Sequence, residues 1–203
     1  LMPYSPMVRK LLTRFEELRL PLKLVAPDHG PIWRTRFDLA VESYAKWSEQ
    51  KPTHKAVVVY DTMWGSTAKM ARAIADGLAA GGARPSLIPL QGSHRSDVAA
   101  ELLEAGALLV GTPTINNNMF PSLGDVFLYL EGLRTRNLVG AAFGSYGWSG
   151  EGVPQVNAIL ERMKVDLVSE GIRVQFVPDE KDLDECRELG RTVAARLSET
   201  VER

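Results

Sequence analysis

One cysteine in 203 residues, Cys186, excludes an internal disulfide and supplies too few thiolates for a cysteine-ligated iron–sulfur cluster or a structural zinc site. Redox chemistry here would need an organic cofactor or a metal held by other ligands. Only three histidines are present: His29, His54 and His94. No apolar run approaches the roughly 18 residues of a membrane span, and the start lacks the basic end, apolar centre and small-residue cleavage site of a secretory signal. A cytoplasmic setting is expected. Twenty-four Lys and Arg against twenty-five Asp and Glu give a formal charge of −1, which creates no long-range attraction to nucleic acid or an acidic membrane. Both the GxxxxGK[ST] triphosphate loop and the GxGxxG dinucleotide fingerprint are missing. What remains is an ordinary globular composition, 45% apolar and 24% charged.

Residues 1–51 read differently from the rest. Met7, Val8, Leu11, Leu12, Phe15 and Leu18 fall on one helical stripe, with Ser5 as the expected N-cap and Pro6 in the first turn. Leu22–Ala26 is a short strand candidate ending at the Pro27-Asp28-His29-Gly30-Pro31 turn. Phe37, Ala40, Val41, Tyr44 and Trp47 mark a second amphipathic helix, and a polar linker follows. Two helices and one strand cannot enclose a core of their own, so their apolar stripes require a further layer. That need, with a first residue Leu rather than Met, leads to the expectation that the chain is part of a longer protein.

From Ala56 onward strands and helices alternate. KAVVVY, RPSLIPL, ALLVG, NLVGAAFGS and IRVQFV are the five strand candidates, each followed by a helical segment, and the fourth helix is expected to fill 153–171. Strands that are apolar almost throughout indicate a parallel sheet covered on both faces. The predicted fold is α/β: a three-layer, doubly wound, five-stranded parallel sheet over 52–203, with strand order 2-1-3-4-5 and an N-terminal helical appendage.

Ligands of such sheets bind beyond the carboxyl ends of the strands. Three loops lie there. Asp61–Thr67 offers the hydroxyls of Thr62, Ser66 and Thr67, a turn at Gly65, and the free amides of a helix start, a phosphate cradle built without cations. The ligand indicated is a mononucleotide or sugar phosphate. Thr112-Pro113-Thr114-Ile115-Asn116-Asn117-Asn118 supplies amides able to meet a heterocycle. Ser145-Tyr146-Gly147-Trp148-Ser149-Gly150 supplies aromatics for a planar ring. Each loop alone also fits a blander role: a capped helix, a plain Asn turn, or a surface turn with incidental aromatics. Their coincidence on one sheet edge favours a cofactor.

The segments DTMWGSTAKMA, GTPTINNNMFP and FGSYGWSGE resemble the three flavin loops of the flavodoxin-like module in flavodiiron proteins, also called A-type flavoproteins. APDHGPIWR resembles the last motif of the metallo-β-lactamase-like module that precedes it there, so the resemblance covers essentially the whole chain. It implies an FMN site. Thr62, Met63, Trp64, Gly65, Ser66 and Thr67 would surround the phosphate; Pro113, Thr114, Ile115, Asn116, Asn117 and Asn118 would line the ribityl chain and ring edges. Ser145, Tyr146, Gly147, Trp148 and Gly150 would close the ring side. His29 matches a ligand of the family's di-iron centre, which needs carboxylates and histidines this chain lacks; that centre is expected only in the complete protein. No catalytic acid, base or nucleophile is implied.

By this resemblance, residues 1–51 end an incomplete metallo-β-lactamase-like module and 52–203 form the FMN domain of an oxygen or nitric oxide reductase. A head-to-tail homodimer would follow, with rubredoxin, an NAD(P)H-linked reductase or reduced deazaflavin as electron donor. A stand-alone flavodoxin-like carrier and an FMN-dependent NAD(P)H or quinone reductase are the alternatives.

Overall fold

The computed structural model describes residues 1–202 and divides the chain into two compact units, Leu1–Gln50 and Lys51–Arg203. In the first unit a short 3-10 turn, Met2–Tyr4, leads into α1 (Ser5–Leu18); α2 spans Phe37–Glu49. The first helix begins at Ser5 with Tyr4 as its N-cap, one position earlier than its Ser-Pro signal indicated, because the Ser5 hydroxyl donates back to Met2 O at 2.9 Å. Gln50 Nε2 ties the unit's ends together by donating to Met2 O at 3.1 Å and Ser5 Oγ at 3.0 Å.

The expected strand at Leu22–Ala26 shrinks to one antiparallel bridge, Val25 to Trp33. Pro21 and Pro27 flank the run and supply no N–H, so no ladder extends from it. Phe15 and Phe37 meet edge to face at 5.9 Å, as do Trp33 and Phe37 at 6.4 Å. Met2 is the unit's one buried apolar residue among the described residues, whereas Met7, Leu11, Leu18, Leu39 and Tyr44 stand exposed. The helices form as their periodicity predicts, but this unit has no core.

The second unit has one. Its elements are β1 (Lys55–Tyr60), α3 (Ser66–Ala80), β2 (Arg84–Pro89), α4 (Arg95–Leu102) and β3 (Ala107–Gly111). They continue with β4 (Thr114–Ile115), β5 (Asn118–Met119), α5 (Pro121–Leu133), β6 (Val139–Tyr146), α6 (Gly152–Arg162), β7 (Asp166–Leu167), β8 (Ile172–Gln175) and α7 (Glu180–Val201). The main sheet is parallel throughout, in the order β2-β1-β3-β6, and its fifth position is shared by β7 and β8, which pair with the start and end of β6.

The expected order therefore holds, and the last strand needs correcting. It is split in two, and the helix expected over 153–171 stops at Arg162, where Lys164 turns to φ +61° and releases the chain into the sheet. Gly171 re-enters at φ +87°, and a Cβ there would sit 2.5 Å from Ala142 O. Only glycine fits that approach.

Alternation within β1 explains its unbroken apolar character. Ala56, Val58 and Tyr60 pack on the layer containing α3 and α7; Val57 and Val59 pack on the layer of α4, α5 and α6. Glycines let α3 and α7 touch backbone to backbone: a Cβ at Gly190 would lie 2.3 Å from Ile74 O. No helix among the described residues is long and apolar enough to cross a membrane.

Candidate functional site

The carboxyl ends of β1, β3, β6 and β8 point the same way, and the segments leaving them surround a cavity of about 560 Å³. That volume falls within the range of small-molecule sites, about 300–1,000 Å³. The wall contains Thr62, Met63, Trp64 and Ser66 from the first loop, Pro113, Thr114, Ile115, Asn116 and Asn117 from the second, and Ser145, Tyr146, Gly147 and Trp148 from the third. No charged side chain among the described residues lines it.

The first loop is held from beneath. Asp61, buried at the end of β1, accepts from Thr62 N at 2.7 Å through Oδ1 and from the Ser122 hydroxyl through Oδ2. Thr62 Oγ1 accepts from Gly65 N at 3.0 Å, and Gln91 Nε2 donates to Thr62 O at 2.6 Å. Gly65 provides the turn at φ +89° and becomes the N-cap of α3. Having no side chain, it leaves the first amides of α3 without a side-chain cap, as also in α1, α2, α5 and α6; only α4 and α7, among the described helices, are capped, by His94 and Asp179. Free N–H groups and the positive end of the helix dipole thus meet the Ser66 side of the cavity, a setting that favours a phosphate.

The second loop is a β-hairpin, a feature its sequence signalled only as a turn. Strands β4 and β5 pair antiparallel around Asn116 and Asn117, both at positive φ (49° and 58°), as a two-residue type I′ connection requires. Gln155 clamps it from α6: its Oε1 accepts from Met119 N at 2.9 Å, and its Nε2 donates to Asn117 O at 3.1 Å. In the third loop, Ser149 Oγ donates to Asn117 Oδ1 at 3.1 Å, linking it to the hairpin. Two indoles, Trp64 and Trp148, line the cavity with 92% and 91% of their surface exposed. Groups of that size are normally covered, so a planar partner is indicated.

Four expected residues stand off the cavity. Gly65 shapes the turn; Thr67 is fully buried with its hydroxyl 3.3 Å from Ser145 Oγ. Asn118 Nδ2 donates to Asn116 O at 2.7 Å within the hairpin, and Gly150 sits against the Tyr146 ring. Ser149, Phe176 and Val177 line the cavity without having been anticipated. Ser149 was legible as a neighbour of Trp148. Phe176 and Val177 were hidden by their continuity with the IRVQ strand.

His29 is exposed in its turn, and no group of three or more His, Cys, Asp or Glu able to hold a metal occurs among the described residues. His94 is occupied as a helix cap, its Nδ1 accepting from Ser96 N at 3.3 Å. Burial, with Asp182 and Glu185 nearby, pushes the Cys186 thiol up to about 12, which leaves it a neutral packing group.

A doubly wound sheet with this ligand cavity at its strand ends defines a mononucleotide-binding protein of flavodoxin type. The flavodoxin family profile matches residues 58–190, and the chain belongs to that family. Within it, the sequence and fold follow the flavodiiron proteins. A nitric oxide reductase of Moorella thermoacetica is 46% identical over 200 residues, covering 98% of this chain and 50% of that protein. The solved rubredoxin oxygen:oxidoreductase of Desulfovibrio gigas superposes at a TM-score of 0.92 with 35% identity, over 100% of this chain and 51% of its own. The flavodiiron protein of Giardia intestinalis gives 0.90 and 31%, over 98% and 49%. The chain spans about half the length of the curated relatives it matches.

Proposed function

We propose that the chain binds FMN in this cavity and serves as the electron-transfer part of a flavodiiron oxygen or nitric oxide reductase. The observation that carries the reading is the cavity itself: three loops converge on it, with an uncapped helix N-terminus at one side and two exposed indoles in its wall. Ser66 and the first amides of α3 hold the phosphate; Thr62 keeps their loop folded by accepting from Gly65 N. Asn116 and Asn117 present polar groups along the ligand's edge from a hairpin that Gln155 immobilises. Trp64, Tyr146 and Trp148 cover the ring and exclude water from it. Gly65, Thr67, Asn118 and Gly150 support these contacts from behind. When bound, FMN accepts electrons in pairs and releases them singly, linking a two-electron donor to a one-electron centre.

In the complete protein, residues 1–51 end a metallo-β-lactamase-like module whose remaining layer covers the exposed apolar side chains of α1 and α2. His29 joins a di-iron site built by that module. The twofold length of the relatives and the names of two of them, a nitric oxide reductase and a rubredoxin-oxygen oxidoreductase, support this reading. It brings with it a head-to-tail homodimer, a cytoplasmic setting, and a donor such as rubredoxin, an NAD(P)H-linked reductase or reduced deazaflavin.

The test is an anaerobic single-turnover experiment on the FMN-loaded chain, with iron measured on the same sample and the product identified. The chain alone should pass electrons to a one-electron acceptor without rapidly reducing nitric oxide or oxygen; rapid, iron-dependent formation of nitrous oxide or water would overturn the division of labour.

A further inference from the structure

Strand β8 begins as an ordinary half-buried strand: Val174 is buried in the layer with α3 and α7, Ile172 packs against it, and Arg173 and Gln175 face solvent. A period of two would send Phe176 into the same layer. Instead its backbone turns left-handed, at φ +65°, and the side chain is left 64% exposed. For a bulky residue that conformation is a genuine outlier, and such strain persists only where its surroundings enforce it.

The enforcement is visible. Phe176 N donates to Tyr146 O at 2.7 Å, and Gln175 Nε2 donates to Gly147 O at 2.8 Å. Both acceptors belong to the segment that leads into Trp148. Phe176 and Val177 line the same cavity as Tyr146 and Trp148, at the outer strand of the sheet. Four adjacent strands, β1, β3, β6 and β8, spaced about 4.8 Å apart, put this wall roughly 14 Å across the sheet from the phosphate loop. A ligand anchored by its phosphate at α3 and extended along the strand ends meets it.

We propose that Phe176 is a positioning residue of the flavin site, forming a fourth wall that fixes where the flavin ring comes to rest. The inference builds on the FMN reading above. The ring is withheld from the core, at the expense of backbone strain, because it packs on the ligand and not on the fold.

Titration of the purified apo chain with FMN, followed by flavin fluorescence, tests this on the unaltered chain and on Phe176→Gly, Phe176→Asn and Phe176→Tyr. Glycine and asparagine accept the left-handed backbone but lack the ring. Both variants should melt, as apoproteins, at or above the temperature of the unaltered chain, yet bind FMN about two- to tenfold more weakly, the value of one aromatic contact. Their bound flavin should also show a shifted visible spectrum and reduction potential, and Phe176→Tyr should restore all three. Unchanged affinity, spectrum and potential in the Gly and Asn variants would overturn the proposal. So would apo stability falling in step with affinity, which would assign the ring to the fold. If the unaltered chain does not bind FMN, the flavin reading itself fails and this inference falls with it.

Discussion

The two exposed indoles provide the sharpest perturbation. Trp64 and Trp148 are 92% and 91% exposed, so neither supports the apo fold, and truncating either to alanine should change its stability by no more than about 0.5 kcal/mol. Their value would lie in the complex. An indole offers on the order of 200 Å² of surface, and a flat ligand laid on one face covers about half of it. At ~25 cal/mol per Å² the ~100 Å² removed from water is worth about 2.5 kcal/mol. Immobilising the side chain takes back roughly 0.5–1.5 kcal/mol. The net, about 1–2 kcal/mol, corresponds to FMN affinity roughly 5- to 30-fold weaker for each single variant. Because both groups would touch one ligand, the double variant need not equal the product of the singles. The assay is equilibrium titration of apoprotein with FMN by fluorescence quenching, paired with thermal melts of each apoprotein. Affinities within twofold of the unaltered chain in both single variants would refute the stacking argument, whatever the melts show.

Further outcomes follow from the same geometry. Ser66→Ala, which removes a donor beside the uncapped start of α3, should weaken FMN by about 1.5–3 kcal/mol while leaving riboflavin, which has no phosphate, unaffected; titration of both ligands checks it. Gly190→Ala drives a methyl to 2.3 Å from Ile74 O at the α3–α7 crossing and should cost about 1–3 kcal/mol in denaturant unfolding, with FMN affinity of the folded protein nearly unchanged. Cys186 is held protonated by burial up to about 12, so its contribution is fully present below the ordinary thiol pKa and is lost as pH rises from there toward 12, the unfolded thiol ionising first. The stability difference between the unaltered chain and Cys186→Ala should shrink across that window, and thiol reagents should label the native chain only as it unfolds.

How far the sequence discloses this molecule depends on the range of the signal. Strands β1, β3 and β6 are legible because burial on both faces demands unbroken apolar runs, and the three loops are legible because hydroxyls, glycines and aromatics cluster after them. The split last strand is not: β7 is two residues long and exists only through pairing with Val139 and Gly140, a tertiary fact with no periodicity. The hairpin at Asn116-Asn117 had a readable signal, since consecutive asparagines tolerate positive φ, but a two-residue strand on either side is too short to show alternation. Thr67 illustrates the limit within the site. Its hydroxyl resembles that of Ser66 on paper, and only the helix turn decides that one faces the cavity and the other Ser145. Phe176 reads as strand because nothing in its local sequence announces a left-handed turn.

A cavity built for a flavin mononucleotide must discriminate that ligand from its near relatives. The most direct measurement is titration of the purified apo chain with FMN, following the quenching of flavin fluorescence, alongside identical titrations with riboflavin and FAD. Saturation is expected at one FMN per chain, with deep quenching by the indoles and far weaker binding of riboflavin, which cannot engage the start of α3. Absence of saturable quenching by FMN, or equal affinity for riboflavin, would contradict the FMN assignment.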